Sequence, residues 1–144
     1  MKHALATALL VTAVAFTGCN TNIGVDNPDS REAFANPVTG TVSTRYNAPV
    51  ENVFNATKRA LDQTPGMMRT GESDVTTYIS SGDKVGVKVF ARSVGDLLVT
   101  VEIVRTEDKE KNESYTGVAV KYGAFGNVPE SQKLISRISS NLRR

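Results

Sequence analysis

Apolar residues recur along this chain with two different periods, and the periods change from segment to segment. In Gly40-Thr41-Val42-Ser43-Thr44-Arg45-Tyr46, every second position from Val42 is apolar or β-branched. That alternation predicts a strand with one buried face. After Asn47-Ala48-Pro49 the spacing lengthens, and Val50, Val53, Phe54, Thr57 and Leu61 fall on one face of a helix. Pro near the first helical position already has a helical φ and lacks only an N–H that would go unpaired. Glu51 sits at the positive end of the helix dipole, with Lys58 and Arg59 at the negative end. Thr64-Pro65-Gly66 stops the helix.

Period two then returns in four segments. Val75 to Ser80 is the first, and Met67-Met68 ahead of it reads as core entering this strand. Val85, Val87 and Val89 mark the second, and Leu97, Val99, Val101 and Ile103 the third. Tyr115 to Tyr122 is the last, after the charged excursion Thr106 to Ser114, which reads as a solvated hairpin loop. The Gly123-Ala124-Phe125-Gly126-Asn127-Val128 turn leads to a second helix starting at Pro129-Glu130-Ser131, with Leu134, Ile135, Ile138 and Leu142 as its apolar stripe. The predicted order is β-α-β-β-β-β-α. This is an α+β fold: an antiparallel sheet of about five strands with two helices packed on one face. Phe54 and Leu61 are expected to be buried against the sheet, beside Ile135 and Ile138.

The first residues follow neither period. Lys2 precedes an apolar run from Ala4 to Phe16, and Phe16-Thr17-Gly18-Cys19 ends it with small residues before a cysteine. This is the layout of a secretory signal. The run is too short for a membrane-spanning helix, which needs about 20 apolar residues. Its end resembles the lipobox of bacterial lipoproteins, although Phe16 stands where Leu is usual. The resemblance implies removal of residues 1–18 as a signal peptide and acylation, palmitate included, of Cys19 as the new N-terminus. Asn20 follows Cys19, where an Asp would resemble an inner-membrane retention signal. The periplasmic face of the outer membrane is therefore the expected location. Residues 19–38 are expected to be the lipidated cysteine and a flexible tether, and residues 39–144 a single domain. As a coil, the polar Asn20 to Pro37 segment would span about 25 Å. Pro28 to Phe34 offers one or two helical turns, with Phe34 docking on the domain, although so short a helix is marginal without packing.

Composition narrows the chemistry. The chain has 144 residues, with 17 Lys and Arg against 15 Asp and Glu. Without the signal the balance is 16 against 15, and the charges are scattered, so there is no footprint for nucleic acid. The single histidine, His3, lies in the signal, and the single cysteine is Cys19. Neither Ser-His-Asp nor Cys-His catalysis is then available, nor a zinc site made from those residues. Trp is absent, so a stacking platform is poorly supplied. No Gly-x-Ser-x-Gly elbow is present. The Glu107-Asp108-Lys109-Glu110 loop lacks the glycine and spacing of an EF-hand. Glu102, mid-strand on the polar face, reads as a solvent-facing residue or a cross-strand partner for a lysine. No cofactor, metal or enzymatic activity is expected.

What remains is binding. Lys84, Lys88, Arg92 and Lys121, with Phe90, fall on the polar partner face of the sheet. That face reads first as solvated, and second as an interaction surface. Phe125 lies between Gly123 and Gly126, as a plug over the helix ends or as an exposed contact, with the plug preferred. The expected function is a non-enzymatic, membrane-anchored envelope protein with a possible protein partner. The alternative is a small-ligand or lipid binder with a pocket between helices and sheet.

The stretch from Tyr46 to Thr57 with Ala60-Leu61, followed by Gly123 to Asn127, Ser131-Gln132 and Leu134 to Leu142, resembles a group of small uncharacterised bacterial lipoproteins. Those proteins pair a lipobox with this helix opening and close with a Gly-x-Phe-Gly-Asn turn and a helix. The resemblance implies a fold and no activity. The Ala-Pro opening with Val and Phe on a helix also looks like the repeated domains of BamC, the accessory lipoprotein of the outer-membrane β-barrel assembly machine.

Overall fold

A computed structural model describes residues 21–25, 27, 33–79, 82–108 and 110–143. Cys19 and the apolar leader lie outside the described residues. The elements are β1 (Thr21–Ile23), β2 (Ala33–Ala35), β3 (Val42–Tyr46), α1 (Val50–Asp62), β4 (Met68–Ile79), β5 (Gly82–Arg92), β6 (Leu98–Asp108), β7 (Glu113–Tyr122) and α2 (Val128–Leu142). All strands join one antiparallel sheet in the order β1-β2-β3-β7-β6-β5-β4. The α+β class and the two helices follow the periodicity.

The alternation sets which side chains are buried. Val89 pairs with Val101, Val101 with Val120, and Val120 with Val42, so one cross-strand row puts four apolar side chains on the same face. All four are fully buried. Leu61 of α1 and Leu134, Ile135 and Ile138 of α2 close over that face. A buried polar link fastens α2 to β3. The Tyr46 hydroxyl and Ser139 Oγ are hydrogen-bonded at 2.8 Å, and both hydroxyls lie within donating distance of the Ile135 carbonyl, at 3.3 and 3.0 Å.

Among the described residues the sheet has seven strands rather than about five. The additional two are β1 and β2, inside the segment expected to be a tether. Their residues show no period because each strand is only three residues long. They are held by partners distant in sequence. Ala35 pairs with Val42 on the β3 edge, and Ala33 and Ala35 are buried. Asn27, itself buried, donates from Nδ2 to Thr44 Oγ1 at 2.9 Å and to the Arg45 carbonyl at 2.8 Å.

Three further expectations change. β4 starts at Met68, and its first half, Met68 to Asp74, is polar because it runs along a free edge; a register shift separates Arg69 from Gly71. Met68 is exposed there, while Met67 packs against the core. The charged hairpin is tighter than predicted, since β6 reaches Asp108 and β7 resumes at Glu113. Phe54 is half-buried at the margin of the core, with Lys58 Nζ 4.1 Å from its ring centroid. Val53, Ala56, Thr57, Ala60 and Leu61 form the buried side of α1 instead.

Candidate functional site on the uncovered sheet face

Both helices lie on one face, so the other face of the sheet is left open. Residues at alternate positions line up across it in register. One row runs Ser73, Lys88, Glu102, Ala119, Ser43 and Phe34. The next runs Gly86, Val104, Gly117 and Arg45. The middle of both rows carries small residues, Gly117 and Ala119. Their lack of bulk opens a hollow of about 320 Å³, bounded by Phe34, Val104, Tyr115, Arg45 and Glu102. That volume is at the lower end for small-molecule sites and suits one large side chain or a small ligand.

The walls differ in chemistry. Phe34 and Val104 are apolar. The Arg45 guanidinium lies 4.9 Å from the centroid of the Tyr115 ring, which holds a cation at the rim by cation–π attraction. On the opposite side Lys88 Nζ is 3.4 Å from Glu102 Oε2. This is the cross-strand pair expected for Glu102. The hollow is therefore apolar at its base and charged at both margins.

The residues singled out from sequence do not all meet here. Lys88 stands at the margin of the hollow, in its ion pair. Phe90 occupies the same face one row further along, opposite Thr100, and is half-buried. Lys84 pairs in register with Thr77, and its side chain lies outside the described residues. Phe125 is elsewhere, in the turn after β7, and 91% exposed. The preferred plug reading is thus corrected. The Gly126 backbone packs on Gly40 so closely that a Cβ on either would collide, which seats the Phe125 turn against the turn between β2 and β3. Phe34 was expected to dock on the domain from a helical turn and lies instead in strand β2, while residues 28–32 of that expected helix lie outside the described residues. Arg45, Tyr115 and Gly117 were not singled out. The signal available for them was Gly117 and Ala119 standing at alternate positions on the polar side of a strand.

Several carboxylates of the described residues are paired with cations, among them Asp62 with Arg69 at 2.7 Å, Glu130 with Lys133 at 2.9 Å, and Asp96 with Arg92 at 3.5 Å. Among the described residues, no three of His, Cys, Asp or Glu converge as metal ligands would. Burial pushes the Tyr122 phenol up to about 12, helped by the charge of Glu130 and opposed by Arg137. Tyr122 is on the helix-covered face, away from the hollow.

These features define a small α+β domain with one covered and one open sheet face. The chain belongs to the family described as Protein of unknown function (DUF3568), whose model matches residues 2–141, apolar leader included. No curated protein matches it.

Proposed function

We propose that this protein is a non-enzymatic binding module of the bacterial envelope, anchored through lipid on Cys19 to the periplasmic face of the outer membrane. The anchored part of the reading rests on the leader and on the Phe16-Thr17-Gly18-Cys19 ending. The binding part rests on one observation, the hollow over Gly117 and Ala119 on the uncovered face. Its partner is a protein that inserts an apolar side chain against Phe34 and Val104 and sets an acidic group beside Arg45. The pairing of carboxylates with Arg and Lys supports a binding role over acid–base catalysis. The size of the hollow favours a second reading, a small anionic or aromatic ligand.

Filling the hollow tests both readings. A Cβ at Gly117 would find its nearest heavy atoms at 3.7 and 4.0 Å, which is ordinary contact. Gly117→Val therefore leaves the fold intact, and a β-branched residue suits a strand. The expected result is an unchanged or slightly raised thermal midpoint. A photo-crosslinking residue at Ser43 should give one discrete protein adduct in cells, lost in the Gly117→Val background. A small-molecule adduct from the same position would select the second reading. An adduct that survives Gly117→Val would reject the hollow as the site.

A further inference from the structure

Six large apolar side chains are exposed at one end of the sheet. Val38 lies in the turn between β2 and β3, Phe125 in the turn after β7, and Val94 and Leu97 in the turn between β5 and β6. Leu98 and Met68 open β6 and β4 at that same end, both opposite Arg92. Antiparallel order requires all these turns to share an end. The close contacts confirm it: Gly40 meets Gly126, Leu97 lies 3.4 Å from where a Gly123 Cβ would be, and a Cβ on Gly66 would collide with Val94. Val38, Val94 and Phe125 are 89%, 76% and 91% exposed. The opposite end holds the Glu107 to Glu113 hairpin, rich in charge.

The chain enters at the apolar end. β1 pairs with β2 so that Thr21 is opposite Ala35, directly before the Val38 turn. Cys19 is two residues upstream, which allows at most about 7 Å of chain. An acyl chain on Cys19 would bring this rim, rather than the charged hairpin, to the bilayer. Charged residues near the rim form ion pairs, Arg92 with Asp96, Arg69 with Asp62, and Lys133 with Glu130, and Lys121 adds a single positive charge near the end of β7. The rim therefore offers contiguous apolar area among mostly paired charges, which fits lipid tails beneath a headgroup layer.

We infer that the Val38, Val94, Leu97 and Phe125 turns insert into a lipid surface, standing the sheet on the membrane with its uncovered face turned sideways. The inference takes its direction from the Cys19 anchor of the proposed function, and the insertion itself is a separate event. The chain contains no Trp, so Phe125→Trp and Val38→Trp place single reporters at the rim, and Lys111→Trp places one at the far end. The full chain is reconstituted into vesicles of phosphatidylethanolamine and phosphatidylglycerol, with or without bromine on the acyl chains. Insertion to about 5–10 Å predicts a blue-shifted emission at positions 125 and 38, and loss of roughly half of it to brominated lipid, unchanged in high salt. Position 111 should show neither effect. Unquenched emission at position 125 overturns the inference, as does a blue shift without bromine quenching, which would mean contact with another protein copy. Intact mass of the same sample reads acylation of Cys19 separately. An acylated chain whose rim stays in water keeps the anchor and loses the insertion. A quenched rim on an unacylated chain does the reverse.

Discussion

Ser131 is fully buried in the first turn of α2, and its hydroxyl has no hydrogen-bond partner among the described residues. A buried donor without an acceptor costs about 1–3 kcal/mol. Ser131→Ala removes the hydroxyl and almost no volume. The expected outcome is a gain of about 1 kcal/mol in urea unfolding, and a loss would mean that Oγ finds a partner after all. Tyr122 gives a pH-dependent counterpart. Its phenol rises to about 12 in the fold because burial penalises the charged form, against about 10 for a free tyrosine. The folded state therefore holds this proton more tightly than the unfolded chain. The contribution is complete below about pH 10 and is lost as pH rises towards about 12. Tyr122→Phe should flatten the fall in stability across that window, measured by denaturant unfolding at paired pH values. An identical fall in both proteins would place the titrating group elsewhere.

At the scale of elements, the two helices separate stripe residues that look alike in sequence. Leu61 is fully buried, whereas Phe54 sits at the margin with Lys58 against its ring. Leu61→Ala should cost about 2–5 kcal/mol, and Phe54→Ala only about 1–2 kcal/mol despite the larger deletion. Thermal melts of the two variants check the order, and a larger loss for Phe54→Ala would put its ring in the core. Helical spacing revealed the stripe and not its depth, because depth depends on where α1 crosses the sheet. The same limit hid β1 and β2. Residues such as Ala33 and Ala35 carry no periodic signal, and what orders them is the β3 edge and the Asn27 side chain. β5, β6 and β7 were legible because valines alternate through them, whereas β4 showed a strand period only from Val75 onward. The small residues of the hollow were legible as a pattern, but Phe34 comes to its wall only through pairing of β2 with β3.

The whole molecule joins two kinds of pairing, and this has a kinetic consequence. β4 to β7 form a meander of hairpins, in which Val101 pairs with Val120, 19 residues away. β3 pairs with β7 across 78 residues, Val42 with Val120. Closing the longer loop costs more chain entropy before any contact rewards it. The meander should therefore form in the folding transition state, with β3 and the β1–β2 hairpin docking afterwards. β3, β5, β6 and β7 bury side chains in one core, so equilibrium stability does not distinguish Val42 from Val101, whereas rates do. Val101→Ala should slow folding and leave unfolding nearly unchanged. Val42→Ala should leave folding nearly unchanged and speed unfolding. Stopped-flow chevrons of the two variants read this directly. Late docking also means that the hollow, one wall of which is Phe34, is completed only in the last step. A variant that loosens β3 would open the binding face before it unfolds the sheet. If Val42→Ala instead slows folding as much as Val101→Ala does, β3 belongs to the nucleus, and the open face is as durable as the core behind it.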